Sequence, residues 1–277
     1  MPELAEVEFY RKRWHLAVCG ARIVAVLTHD RANIFRGTDP AAVRAALDGA
    51  KFVDSAARAK QMLFRFSGNA WLGIHLGMSG ELRVEPAGYV ARAHDHFVLE
   101  TARHALVFTD PRMFGRVQLH RGLRPPPWWT EIAPAILSRE FTVGAVAEFL
   151  RRRARAPIKA VLLMQERFPG IGNWMADEIL WRAAIHPRRS AGSLSATDVR
   201  RLWRECRQVC RLALTAIAGK GSKLPLDLNV GIPRTWLFRH RWRNDGRCPK
   251  TGAALVREEI GGRTTCWSPA RQKLPPR

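Results

Sequence analysis

The chain is predicted to be an α+β protein, on three observations. It opens with a helical apolar stripe, continues with short alternating segments to about residue 120, and returns to helical periodicity beyond a proline-rich break. Residues 2–19 read as a helix whose stripe is Leu4, Val7, Tyr10, Trp14, Ala17 and Val18, ended by Gly20. From Ala21 to about His120 come "RIVAVLTH", "QMLFRFSG", "AWLGIHLG", "ELRVEP", "HFVLETA", "ALVFTD" and "GRVQLH", a β-rich domain expected to pack as a sandwich. "RGLRPPPWW" reads as a linker, because three prolines suit neither a helix interior nor a central strand.

Helical patterning then resumes. Its clearest stretch is Val199, Leu202, Trp203, Cys206, Val209, Cys210, Ala213 and Ile217, introduced by the capping pair Ser195 and Asp198 and stopped by Gly219. A shorter helix is expected from Pro157 through "PIKAVLLMQE", and another, "WMADEILWRAAI", after "PGIGN" and before Pro187. From about Trp236, "AALVREEI" and "RTTCWS" read as two strands of a hairpin joined by Gly261-Gly262. The 277 residues thus divide into 1–121, a linker at 122–134, a helical domain at 135–225 and a hairpin module at 236–270, with no internal repeat.

Forty-six Lys and Arg against 24 Asp and Glu give a formal charge of +22, which points to a polyanionic partner, nucleic acid ahead of an anionic membrane. No apolar run approaches the roughly 18 residues of a spanning helix, and the N-terminus lacks a signal-peptide core, so a cytoplasmic, nucleoid-associated protein is expected. Five cysteines without disulfide-like clustering suit a reducing compartment. Basic residues concentrate at Arg11-Lys12-Arg13, in "RRRARAPIK" and in "RHRWR". Any one of these reads as a solvated face; together they weaken that reading.

Pro2 and Glu3 fit a plain helix start, since proline is favoured at the first helical position and acids in the first turn. Yet at about 100° per residue Glu3 projects into the middle of the apolar stripe, with Glu6 at its edge. A carboxylate facing a core needs a partner or a chemical role. If Met1 is removed, Pro2 offers a secondary amine. An α-amino group of pKa about 7.7–8.0 is roughly one-tenth neutral at pH 7, against less than about one part in a thousand for lysine. Amine plus adjacent carboxylate can run Schiff-base chemistry with acid/base assistance.

With "MPELAEVE", "ARAKQMLFRF", "HLGMSGELR", "DPRMFG", "PGIGNWMADEILWRAAIHP" and "IGGRTT" in this order, the sequence resembles the formamidopyrimidine-DNA glycosylase / endonuclease VIII family over nearly its whole length. The resemblance implies an N-terminal helix on a β-sandwich, a helix-two-turn-helix domain and a C-terminal zinc or zincless finger. It implies a bifunctional glycosylase and AP lyase of base-excision repair acting on damaged double-stranded DNA, here as a monomer. In that scheme Pro2 attacks C1′ and forms an imine, Glu3 is the acid/base, and Glu6 is a weaker candidate for support. Lys60 matches a strand-borne lysine at phosphate near the lesion. Met78, Arg112 and Phe114 match the residues that fill the gap left by the everted nucleotide, and their split between two motifs looks more like the formamidopyrimidine branch. Asn173 and Lys159 match phosphate contacts, and Arg263 the arginine at the finger's turn.

One departure stands out. Zinc-bearing members carry two Cys-x-x-Cys pairs on the terminal hairpin, whereas this chain has Cys248-Pro-Lys-Thr251 and Cys266-Trp-Ser-Pro269. Structural zinc takes four N or S ligands, so a zincless finger with no cofactor is expected; completion by His240 is a remote alternative. Cys206 and Cys210 sit on the apolar face of a helix, and Cys19 reads as structural. The segment "GKGSKLPLDLNVGIPRTW", where purine-specific members carry a lesion-capping loop, leaves the lesion open. Oxidised purines are favoured, with oxidised pyrimidines or chiefly abasic sites as the alternative, and a catalytically inactive damaged-DNA-binding protein as a further one.

Overall fold

The computed structural model describes residues 2–274. They fall into two units, one holding the residues up to Ile132 with Ala218–Leu224, the other Ala133–Ile217 with the residues from Pro225 on.

The first unit begins with helix α1, Leu4–Val18. It starts two residues later than the periodicity suggests because Glu3 is extended, at φ −107° and ψ −175°, and serves as the N-cap. The carboxylate of Glu3 accepts the backbone N–H of Glu6, while that of Glu6 accepts the N–H of Glu3 at 3.2 Å. Val7, Phe9 and Trp14 are fully buried, each worth about 1.5–3 kcal/mol in removed apolar surface. Trp14 Nε1 donates to the Arg83 carbonyl at 2.9 Å, so the indole is satisfied where it is buried.

Eight strands follow: β1 Ile23–Thr28, β2 Phe52–Arg58, β3 Gln61–Phe66, β4 Ala70–His75, β5 Glu81–Pro86, β6 Asp95–Thr101, β7 His104–Thr109 and β8 Arg116–Arg121. They form two antiparallel sheets in the orders β1-β6-β7-β5 and β2-β3-β4-β8, the sandwich expected from the alternating segments. Helix α1 packs against β5 of one sheet and β2 of the other. Three connections cross between the sheets: residues 29–51 lead from β1 to β2, and the two short crossovers are residues 76–80, from β4 to β5, and residues 110–115, back from β7 to β8. The registers Glu81↔Thr109 and His75↔Arg116 pair both ends of these crossovers, which therefore run side by side.

Helix α2, Pro40–Leu47, was not legible from apolar spacing, although Asp39 caps it by accepting the Ala41 N–H at 2.9 Å and Pro40 occupies its first turn. The proline-rich segment read as a linker contains a one-turn helix α3, Pro127–Thr130. Trp129 is buried, and Trp128 lies against Gly73 of β4 so closely that a Cβ there would meet the indole at 2.2 Å. The prolines set a docked turn here rather than a free connector.

The second unit has α4 Val143–Arg152, α5 Ile158–Val161, α6 Asn173–Ala183, α7 Ala196–Ala218 and the hairpin β9 Val256–Ile260 with β10 Arg263–Trp267. Ser195 and Asp198 form the expected reciprocal cap, Asp198 N–H to Ser195 Oγ at 3.1 Å and Ser195 N–H to Asp198 Oδ2 at 3.2 Å. The helix expected from Pro157 is only four residues long, because the chain then turns to bury Phe168 against Phe141 and Phe149. Gly261 and Gly262, at φ +61° and +73°, make the two-residue hairpin turn.

Burial lowers the pKa of His15, His75, His96 and His186. Between those folded values and the unfolded value near 6.5, the unfolded chain binds more protons, so stability falls as pH drops through about 6.5. Glu178, raised by burial, acts in the opposite sense, but it is one group against four. The thermal midpoint is expected to be lower at pH 5.5 than at pH 7.5; a midpoint that holds or rises at pH 5.5 would contradict this balance.

Candidate functional site

The start of α1 brings together the first predicted residues. Pro2 is half-buried, Glu3 only 2% exposed and Glu6 also buried, the two carboxylates locked by the capping exchange. Met1, on whose removal a free Pro2 amine depends, lies outside the described residues. Lys60 sits in the two-residue turn between β2 and β3, following Ala59 at φ +52°, and so is turn-borne rather than strand-borne. Beside it, the His75 ring is kept neutral first by burial and then by the positive charges of Lys60 and Arg36.

The paired crossovers carry Met78 on one side and Arg112 with Phe114 on the other. Phe114 is 48% exposed, unusual for a phenyl ring, and the Arg112 guanidinium lies 4.8 Å from its centroid. Asp110, fully buried, ties the two crossovers together. Its carboxylate accepts Ser79 Oγ–H at 2.6 Å from the first, and the N–H groups of Gly115 at 2.6 Å and Arg112 at 3.3 Å from the second. Gly77 lets the backbones touch: at φ +61°, any Cβ would stand 2.4 Å from the Phe114 carbonyl carbon. Arg36 holds the outer side, donating to the Gly115 carbonyl at 2.5 Å and that of Phe114 at 3.3 Å.

In the second unit the "PGIGN" turn leads into α6 at Asn173, with Gly172 as its N-cap. Lys159 corrects the expectation of a phosphate contact. Its side chain is 0% exposed, and its ammonium pairs with Asp177 and donates to the Asn173 carbonyl at 2.7 Å, so it braces the turn from behind. Asp177 also accepts Arg241 Nη2 at 2.5 Å and Nε at 3.2 Å, and the backbone N–H of Cys266 at 3.1 Å. Asn173 Nδ2 donates to the Thr264 carbonyl at 2.8 Å. Together these bonds fasten β10 to α6, and Arg263, exposed at the first position of β10, is presented on that base.

Cys248 and Cys266 share one buried cluster with Trp181 and Leu237. Burial raises the Cys248 thiol, but surrounding hydrogen-bond donors, Trp181 Nε1 at 3.3 Å among them, more than offset this and bring it down to about 7. Burial pushes the Cys266 thiol up to about 12. Thr251 and Pro269 add no sulfur or imidazole, and His240 Nε2 contacts the Arg234 carbonyl at 2.8 Å. Among the described residues no group of three or more His, Cys, Asp or Glu is placed to hold a metal ion.

Several basic residues read as surface are internal. Lys12 Nζ donates to the carbonyls of Ala218 at 2.6 Å and Gly219 at 3.2 Å, and Arg11 is held by Glu8 and Ser55. In "RHRWR", Arg241 is buried, whereas Trp242 is largely exposed. Asp110 and Asp177 were not singled out from sequence. The available signal was an acid inside an otherwise apolar stretch, as in "NWMADEILW".

Residues 1–117 match the formamidopyrimidine-DNA glycosylase N-terminal domain family, and residues 132–224 the formamidopyrimidine-DNA glycosylase H2TH domain family. The chain is 37% identical over 277 residues to formamidopyrimidine-DNA glycosylase of Roseiflexus sp. (strain RS-1), covering 99% of this chain and 100% of that protein. It is 35% identical over 276 residues to the Thermus thermophilus protein of the same name, with 98% of each covered. Among solved structures, Lactococcus lactis Fpg in complex with DNA containing N7-benzyl-Fapy-dG superposes with a TM-score of 0.86 at 25% identity, covering 99% of this chain and 100% of that one.

Replacing Asp177 with alanine leaves Lys159 and Arg241 as buried cations without their carboxylate. Loss of a buried partner of this kind costs about 3–5 kcal/mol, so Asp177→Ala should lower the unfolding free energy by that amount in a denaturant titration. A loss below about 1 kcal/mol would show that the network is not holding the unit together.

Proposed function

This chain belongs to the formamidopyrimidine-DNA glycosylase family and is a DNA glycosylase of base-excision repair, and we propose that it excises oxidised bases, purines by preference, from duplex DNA through an imine formed on Pro2. The observation that carries this reading is the buried pair Glu3 and Glu6 locked at the helix start directly beside Pro2. A capping role alone needs no glutamate at the N-cap, where Ser, Thr, Asp or Asn are preferred. A carboxylate fixed next to a secondary amine is suited to move protons for it.

With Met1 gone, the Pro2 nitrogen adds its lone pair to C1′ of the damaged nucleoside. The C1′–N bond breaks, its electrons leave with the base, and the base takes up a proton. Glu3 protonates the ring oxygen as the sugar opens to the iminium, and Glu6 holds Glu3 in place through the reciprocal cap. Loss of the C2′ proton then expels the 3′ phosphate, and a second elimination expels the 5′ phosphate, giving lyase activity. No organic cofactor takes part.

Met78, Arg112 and Phe114 supply the gap filler: an exposed ring, a thioether and a guanidinium facing the orphaned base. Lys60, Asn173 and Arg263 contact phosphates, Arg263 with a planar, permanently charged group. Lys159 supports Asn173 from within. With two sulfurs instead of four, the terminal hairpin is a zincless finger, held by the Asp177 bonds and the Cys248–Trp181 cluster. The partner is damaged double-stranded DNA, and the enzyme acts as a monomer. A solved Lactococcus lactis Fpg complex with DNA containing an oxidised pyrimidine keeps that lesion class as a second reading.

Borohydride trapping tests the proposal on four duplexes, carrying 8-oxoguanine, a formamidopyrimidine, an oxidised pyrimidine or an abasic site. Wild-type protein should form a covalent adduct on the purine lesions and the abasic site. Glu3→Gln should slow base excision by about a hundredfold or more. Adducts on the pyrimidine lesion alone would favour the second reading, and binding without any adduct would mark a non-enzymatic damage binder.

Metal analysis of protein purified without chelator should find no stoichiometric zinc. One tightly held zinc per chain would overturn the zincless finger.

A further inference from the structure

Residues 110–115 carry local strain. Met113, between Arg112 and Phe114, sits at φ +52°, a left-handed conformation that is strained for a non-glycine residue and persists only when its surroundings hold it. The Met113 N–H is anchored on the Asp110 carbonyl at 3.1 Å. That same oxygen receives a second contact, from His96 Nε2 at 3.1 Å, and a carbonyl can only accept, so His96 Nε2 carries a proton. Burial lowers the His96 pKa and keeps the ring neutral, leaving its Nδ1 a lone pair. His29 Nδ1 lies 3.0 Å from that nitrogen with the rings stacked at 5.2 Å, and therefore donates to it. The His29 backbone N–H is bonded to the His96 carbonyl at 2.9 Å, and the Asp110 N–H to that of His94 at 3.0 Å. A chain of directed bonds thus runs from His29 through His96 to the root of the strained crossover.

We propose that His96, oriented by His29, is a positioning residue for base eversion: by gripping the Asp110 carbonyl it fixes the crossover that aims Arg112 and Phe114 into the duplex. The proposal rests on the reading of those side chains as the gap filler. His96 itself touches neither DNA nor the reacting atoms. Its effect therefore falls on steps that need the gap filled, and spares imine formation at a site with no partner base.

The test compares two substrates. One is a duplex with 8-oxoguanine opposite cytosine and 2-aminopurine beside that cytosine, followed by single-turnover excision and fluorescence. The other is a single-stranded oligonucleotide with an abasic site, followed by borohydride trapping. His96→Leu should slow duplex excision about tenfold and blunt the fluorescence change, while single-strand trapping stays within about twofold of wild type. His96→Gln, whose Nε2 reaches the same place and donates, should restore duplex excision to within about threefold. Duplex excision by His96→Leu at the wild-type rate, equal losses on both substrates, or a glutamine variant as slow as the leucine variant would each overturn the proposal. Wild-type protein without activity on either substrate would instead sink the glycosylase reading itself.

Discussion

A carboxylate taken out of water must be given donors, and this chain uses that requirement to join segments that are distant in sequence. Asp110 gathers a hydroxyl from one crossover and two amides from the other. Asp95 gathers Arg83, Tyr89, Thr109 and the Arg92 amide at 2.5–2.9 Å, fastening the sheet behind them. Asp177 collects Lys159, Arg241 and the Cys266 amide. At the helix start, Glu3 and Glu6 satisfy each other's backbone. Each aspartate joins backbone and side chains from segments separated in sequence, and so holds their geometry fixed.

Topology explains why the first node exists at all. Because β4 leads to β5 and β7 returns to β8, the chain passes between the sheets by two short crossovers, and strand register brings the two together. Close approach demands glycine at position 77, and the tight path puts Met113 in a strained conformation. On the second passage Phe114 is left half exposed, with the Arg112 guanidinium against its ring.

Much of the architecture was legible because it rests on local patterning. The strands alternate, Ser195 and Asp198 announce α7, and Gly261-Gly262 announces the hairpin. Helix α2 escaped because its cap and proline outweigh a short apolar pattern, and α5 was overextended because the burial of Phe168, a tertiary event, ends it. Glu3 was conspicuous from its position on the apolar stripe, and Pro2 from the secondary amine it would offer once Met1 is removed. The roles of Asp110, Asp177 and His96 were not, since each depends on partners brought in by register or by a distant turn. Basic clusters misled in part for the same reason: sequence reports charge, whereas burial decides whether Lys12, Lys159 and Arg241 face solvent.

Those internal cations do not cancel the electrostatic argument. A formal +22 leaves a large excess of positive charge for a polyanion even after the paired residues are set aside. Charge explains attraction to DNA and says nothing about bond breaking; the catalytic claim stands on Pro2. The most direct test is to map the borohydride-trapped adduct on an abasic-site duplex by peptide mass spectrometry. The mass of the reduced sugar should appear on the N-terminal peptide beginning at Pro2, with the link at its nitrogen. A link on Lys60 or any other lysine, or an N-terminal peptide that keeps Met1 while the adduct still forms, would contradict the account.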